Sequence, residues 1–316
     1  MKLIFKLMKK IPHIPVLLKE TVSWLITDPD GIYLDCTVGY GGHSELILQN
    51  ISNTGQLIGI DLDPYALKYA EKRLSILQKS YSLYNRNYRE YPILLQSLKM
   101  NKLTGIIFDL GSSSSQLNTE HRGFSFQSDA PLDMRFNPKK GQTAADFLNN
   151  STEKDIAKII SQYGEERYFK KIANSIFKAV NLGQMNTTHD LKKAVSKCIH
   201  PKHLNKSLAR VFQSIRIKIN DEINSLIEAL ESSLTSLNTG SRIAVISFHS
   251  IEDRIVKSFF NKNSKSCICP PKFPICNCNT VPFLKILTRK GISPSKTELN
   301  DNSRSRSARL RVAERI

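Results

Sequence analysis

The first third of the chain alternates apolar runs of strand length with amphipathic stretches of helix length. Residues 13–26 lead in with a helix, and 32–38 form an apolar strand ending in glycines, with a helix opening behind it over 43–49. Residues 56–63 repeat the strand pattern. Asp63 and Pro64 then start a helix running to about Leu77, the aspartate as its cap and the proline in the first turn, where a missing N–H costs nothing. A third strand is predicted over 81–88 and a buried fourth over 105–111, centred on Ile106, Ile107 and Phe108. Strands and helices alternating in this way predict an α/β fold with a parallel, doubly wound sheet.

At Gln116 the alternation stops. From there to Glu222 the pattern is irregular or helical, with one helix opening at Ser151-Thr152-Glu153-Lys154 and another over 166–180. Strand periodicity returns at 241–248, after an amphipathic helix over 221–237, and Leu310-Arg311-Val312 reads as a final strand. So long an interval between sheet strands exceeds any ordinary loop. It predicts an inserted helical domain, 116–222, between a first part, 12–115, and a second part, 223–316, of one α/β domain. An insertion after the fourth strand stands where the cleft of such a sheet opens.

Charge narrows the choice of partner. Lys and Arg number 46 against 28 Asp and Glu, a net charge of +18. Such an excess favours a polyanion, either nucleic acid or an anionic surface, although a generally basic proteome gives the same bias. The insertion is no more basic than the rest, whereas 285–316 holds nine basic and three acidic residues. There Arg304, Arg306, Arg309 and Arg311 form a cluster able to meet phosphates. No run approaches the roughly 18 apolar residues of a membrane span. The stretch 1–10 is short and broken by Lys6, Lys9 and Lys10, so a cytoplasmic protein without membrane contact is expected.

Of the six cysteines, Cys36 and Cys198 are isolated and read as small core residues. Cys267, Cys269, Cys276 and Cys278 lie close enough in sequence for a tetrahedral zinc site. Their C-x-C spacing departs from the C-x-x-C of structural zinc sites, so uncoordinated thiols in a surface loop, and no metal, are the expectation.

Candidate chemistry gathers at the ends of the predicted strands. Asp35-Cys36-Thr37-Val38-Gly39-Tyr40-Gly41-Gly42-His43 runs from a strand into a glycine turn, where backbone can approach a ligand at a helix N-terminus. A dinucleotide fingerprint needs a glycine where Ser44 stands, so the turn suits an adenosyl ligand without phosphates; alone, it equally suits a tight connection. Asp61 closes the second strand and can accept from both hydroxyls of a ribose. Asp109 leaves the fourth strand ahead of Gly111 and Ser112 to Ser115. A carboxylate there can hold the N–H of an exocyclic base amine and aim its nitrogen at a sulfonium methyl. Phe124 and Phe126, followed by Asp133 and Arg135, could stack and hydrogen-bond an extruded base, or clamp the inserted domain. His249 either lines the cleft or caps the helix that follows, and capping is the preferred reading.

Taken together, these stretches resemble the ribosomal RNA small-subunit methyltransferase H family. The resemblance runs from His13-Ile14-Pro15-Val16-Leu17-Leu18 through Gly41-Gly42-His43, Pro131-Leu132-Asp133-Met134-Arg135 and Tyr163-Gly164-Glu165-Glu166-Arg167. It continues in Phe212-Gln213-Ser214-Ile215-Arg216, in Ser247 to Arg254 and in Arg306-Ser307-Ala308-Arg309-Leu310-Arg311. It implies a Rossmann-like S-adenosylmethionine methyltransferase sheet interrupted by an all-helical, substrate-recognising insertion. It further implies S-adenosyl-L-methionine as methyl donor, 16S rRNA or the small ribosomal subunit as partner, and N4-methylation of cytidine 1402. The donor contacts it implies are Gly41, Gly42, His43, Asp61, Tyr88, Asp109 and Gln116, with Asp109 also catalytic. Tyr88 stands where the family commonly has Phe, and the run from Gly111 to Gln116 lacks the family's proline. Methylation of another nucleic acid or of a ribosomal protein, and a non-catalytic RNA-binding or assembly role, are the competing readings. The intact Gly41, Gly42, His43, Asp61 and Asp109 favour catalysis.

Overall fold

A computed structural model describes residues 15–111, 120–267, 269, 278 and 280–316. The chain divides into two compact units, Met1–Gly111 with Ser225–Ile316, and Ser112–Asn224.

In the first unit α1 (Leu18–Leu25) precedes β1 (Ile32–Asp35), α2 (Gly42–Asn50), β2 (Gln56–Asp61), α3 (Pro64–Leu74), β3 (Ser80–Asn85), α4 (Tyr91–Ser97) and β4 (Leu103–Asp109). The second unit supplies α5 (Ala144–Asn149), α6 (Glu153–Gly164), α7 (Phe169–Asn181), α8 (Thr188–Ser196) and α9 (Pro201–Asn220). Next, α10 (Glu222–Ser236) leads back to β5 (Leu237–Ser247), α11 (Ser250–Asn263), β6 (Leu284–Ile286), α12 (Lys296–Asp301) and β7 (Arg309–Arg315).

The strands form a seven-stranded sheet in the order β3-β2-β1-β4-β5-β7-β6. β1 to β5 are parallel, and β7 runs antiparallel between β5 and β6. The interior residues of β2 are buried without alternation, as they must be in a strand covered on both faces. The chain winds from β1 outward to β3, then restarts at β4 on the other side of β1. That reversal makes the β1–β4 junction the topological switch point, where open α/β sheets bind their ligands.

β1, β2 and β4 each end earlier than the apolar pattern predicts. In the first two, the terminal aspartate itself takes over from the ladder: Thr37 N–H donates to Asp35 Oδ1 (3.0 Å) and Asp63 N–H to Asp61 Oδ1 (2.8 Å). Such aspartate turns compete with continued pairing. β3 likewise stops at Asn85, whose amide donates to the Asp61 and Leu62 carbonyls (both 2.9 Å). α3 begins as predicted, with Asp63 accepting from Tyr65 N–H and Pro64 in the first turn. β6 has too few residues to show a period in sequence, and no strand was predicted there.

In the helical unit α5, α6 and α8 open with reciprocal caps, Thr143 with Asp146, Thr152 with Asp155 and Thr187 with Asp190. Each satisfies two N–H groups that a helix start leaves open. Ile156, Ile159 and Ile160 of α6 pack in one cluster with Ile172, Ala173 and Ile176 of α7 and Leu208, Val211, Phe212 and Ile215 of α9. The spacing of three and four residues is that of one helix face. α7 starts later than predicted because Glu165 (φ 48°) reverses the chain and the buried Glu166 accepts from Tyr168 N–H. Among the described residues, no helix is long and apolar enough to cross a membrane.

Candidate active site

Asp35, Asp61 and Asp109 end β1, β2 and β4, three adjacent parallel strands, so all three carboxylates stand at one edge of the sheet. Backbone holds them there. Gly39 N–H donates to Asp61 Oδ2 (2.7 Å), so each Asp61 oxygen accepts one backbone N–H and keeps lone-pair capacity for another donor. Asp35 is buried and takes a 2.6 Å hydrogen bond from Ser44 Oγ on its second oxygen. Thr37 Oγ1 accepts from Asp109 N–H (2.6 Å), tying the ends of β1 and β4 together.

Asp109 differs from the other two. Its Oδ1 is buried and has no hydrogen-bond partner among the described residues, while Oδ2 lies 3.5 Å from His43 Nδ1. His43, on α2, is buried and places Nε2 3.2 Å from the Val16 carbonyl. With Nε2 carrying the proton to that carbonyl, Nδ1 turns its lone pair toward Asp109.

Burial pushes the Asp35 carboxyl up to about 6 and the Asp61 carboxyl up to about 7, the latter also through the neighbouring charges of Asp63 and Asp35. Asp109 is held well above the usual carboxylate range, first by burial, then by the charges of Asp35 and Glu252. The edge is therefore a concentration of acidic groups that burial disfavours as anions and that a nearby positive charge would ionise. It suits a cationic ligand and repels a phosphate.

The glycine turn divides its work differently from the sequence reading. A Cβ on Gly42 would stand 2.1 Å from Pro15 Cγ, and one on Gly41 (φ 77°) 3.2 Å from Ala70 Cβ, so packing within the protein already demands both glycines. Gly39 (φ 51°) instead faces open space, its Cβ position meeting nothing closer than the Thr37 carbonyl at 3.9 Å. Gly39 is thus the turn residue with room beside it for a ligand.

Tyr88 lies in a 3-10 turn after β3 and packs edge-on against Phe108, ring centroids 5.7 Å apart. Gln116, with Ser112 to Ser115, lies outside the described residues. Sequence reasoning passed over Asp35, Gly39 and Thr37 as separate contributors. Asp35 carries the same signal as Asp61 and Asp109, an acid directly after an apolar run.

Other candidates prove structural. Phe124 is buried and stacks on Phe136 (5.7 Å, 12°), and Phe126 meets Phe212 edge-on (5.4 Å), all within the helical unit. Asp133 gives both oxygens to Arg135, at 2.8 and 2.7 Å. That segment is a clamp rather than a base-stacking surface. His249 caps α11, accepting from Glu252 N–H (3.4 Å). In the C-terminal cluster Arg311 is buried and donates to both oxygens of Asp253 (2.6 and 3.0 Å), and Arg309 donates to the Lys290 carbonyl (2.9 Å). Arg306 is exposed, and the Arg304 side chain lies outside the described set. Cys267, Cys269 and Cys278 bring their sulfurs within 4.8 Å of one another; Cys276 lies outside the described residues.

A doubly wound sheet with a carboxylate-lined switch point and open space over Gly39 fits a sulfonium ligand, and the protein is an S-adenosylmethionine-dependent methyltransferase. It belongs to the MraW methylase family, whose model matches residues 10–316. A protein named ribosomal RNA small subunit methyltransferase H from Caldicellulosiruptor bescii is 45% identical over 305 residues, 96% of this chain and 99% of that protein. Its namesake from Clostridium botulinum strain 657 is 45% identical over 306 residues, covering 96% and 99%. Another, from Heliobacterium modesticaldum, is 44% identical over 314 residues, covering 96% and 98%.

Proposed function

We propose that this protein methylates N4 of cytidine 1402 in 16S rRNA of the small ribosomal subunit, with Asp109 as the catalytic residue. The observation that carries this reading is the buried Oδ1 of Asp109 at the switch point, which has no partner among the described residues. A buried acceptor without a donor is costly, and a cytosine amine N–H is the donor it lacks. The relatives named above, whose shared name specifies small-subunit ribosomal RNA, give the substrate class.

S-adenosylmethionine supplies an electrophilic methyl group on a sulfonium. The residues supply position and a proton acceptor. The cytosine amine attacks poorly because its lone pair is delocalised into the ring. Asp109 Oδ1 accepts one amine N–H and so fixes the nitrogen in line with the methyl. As the new C–N bond forms and the S–C bond breaks, the nitrogen becomes cationic and sheds its proton to Asp109. The positive charge of the bound donor keeps Asp109 ionised, and the burial that raises it above its usual range then makes it the better base for that step. His43 Nδ1, on the far oxygen, helps to hold the proton.

Gly41, Gly42 and His43 shape the donor pocket, with Gly39 as its open face. Asp61 offers each ribose hydroxyl one oxygen already oriented by a backbone N–H. Tyr88, backed by the buried Phe108, offers the aromatic face, and Gln116 joins the donor contacts on the family resemblance alone.

The helical unit serves as the substrate-recognition domain. Lys202, Lys206 and Arg210 recur every four residues on α9 and are exposed, a basic stripe of the kind that meets an RNA backbone. Acting on ribosomal subunits, the protein works in the cytoplasm.

The test is to incubate small subunits from a strain lacking the gene with radiolabelled S-adenosylmethionine, then map the labelled nucleotide. Label at N4 of cytidine 1402 is expected. Label on another base or on a ribosomal protein overturns the assignment, and absence of donor binding by calorimetry overturns catalysis altogether.

A further inference from the structure

The structure assigns a zinc site to the segment joining α11 to β6. Cys267 and Cys269 follow the end of α11, Cys278 precedes β6, and their three Sγ atoms all lie within 4.8 Å of one another. Tetrahedral zinc with bonds of about 2.3 Å holds its sulfurs roughly 3.8 Å apart, whereas a disulfide needs about 2 Å. Sulfurs gathered within 4.8 Å leave room for the spacing that a metal requires.

The C-x-C spacing, an objection in sequence, is answered by the local backbone. Cys269 N–H turns back to Cys267 Sγ at 3.4 Å, which folds the pair onto one side. A backbone N–H donated to a sulfur is also the outer support that a metal-bound thiolate takes. Apolar packing does not account for the cluster, because Cys267 is exposed and the other two are half-buried. Thiolate sulfur is soft, and its borderline-soft tetrahedral partner is zinc. Each thiol gives up its proton on binding, so metal uptake releases protons and weakens in acid.

The location gives the site its role. β5 runs parallel to β1 through β4 and ends at the edge that carries Asp35, Asp61 and Asp109. α11 returns to the opposite edge, and β6, antiparallel to β7, starts there. The metal thus stands across the sheet from the reaction centre. Phe283 N–H already ties the segment to the Asn263 carbonyl (2.8 Å), and the metal adds a second tie through Cys267, Cys269 and Cys278. It anchors β6, an edge strand too short to hold itself, and takes no part in methyl transfer.

The experiment uses the full chain purified under reducing conditions, reconstituted with zinc and desalted. Elemental analysis should find one zinc per chain, and a mercurial titrant should release it as at least three thiols react. Cys267→Ser with Cys269→Ser, or Cys278→Ser alone, should abolish binding, while Cys198→Ser keeps it. S-adenosylmethionine binding by calorimetry should stay unchanged. Should the variants misfold, cobalt(II) bound to the unaltered chain should show the visible bands of a tetrahedral thiolate complex. No metal after reconstitution, an octahedral cobalt spectrum, or an intact mass two hydrogens short from a disulfide would each overturn the assignment.

Discussion

At the open edge of the sheet Asp109 ends a buried strand with one oxygen facing no partner among the described residues, whereas Asp133 of the helical unit uses both its oxygens on Arg135. Each is an aspartate beside aromatic and apolar residues, and both drew attention in the sequence. The difference lies in what the backbone does next. A parallel strand delivers its last side chain beyond the ladder, where its own element offers nothing to bind. A loop folding back on itself consumes its polar groups, and Asp133 accepts even the N–H of Arg135 (3.0 Å). An unpartnered acid at a strand end therefore points to a ligand, and a paired acid in a loop points to the fold.

The comparison breaks most visibly at Phe124. If its ring belongs to the core of the helical unit, Phe124→Ala should cost about 3–5 kcal/mol in chemical denaturation. Unchanged stability with weakened RNA binding would return it to base recognition. Asp61→Asn should weaken S-adenosylmethionine binding by roughly tenfold to a hundredfold in calorimetry, the worth of a hydrogen bond to a charged acceptor. Asp133→Asn should leave that affinity as it is; equal losses in the two would erase the distinction. Ser44→Ala removes the donor from buried Asp35 and should cost about 1–3 kcal/mol of stability while the sheet persists.

The comparison also predicts a pH dependence. Asp35 and Asp61, at about 6 and about 7, and Asp109 above its usual range all hold protons in the folded state that the unfolded chain releases near 4. The folded state binds more protons across that window, so stability of the donor-free protein falls as pH rises from about 4 to about 7. The melting midpoint should be higher at pH 5.5 than at pH 8, and Asp35→Asn should flatten the difference. A midpoint that rises with pH, equally in both proteins, would contradict the clustered carboxylates.

Much of this was legible in the sequence because the signals are local. Apolar runs gave the parallel strands, Asp63 and Thr152 announced their helices, and acids directly after apolar runs placed Asp61 and Asp109 at strand ends. What stayed hidden depends on partners distant in the chain. That packing alone demands a glycine at 42 shows only once Pro15 is seen beside its Cβ position, and Arg311 reads as phosphate-binding until Asp253 is seen to hold it. Spacing alone does not show that Cys269 N–H folds back on Cys267.

The central claim is that Asp109 acts on the amine, beyond any contact that it makes with the donor. Single-turnover methyl transfer to small subunits, at saturating S-adenosylmethionine, tests it directly in Asp109→Asn. Transfer should slow by about 10²–10⁴-fold in a folded protein that still binds the donor. Transfer at a near-normal rate would contradict the account.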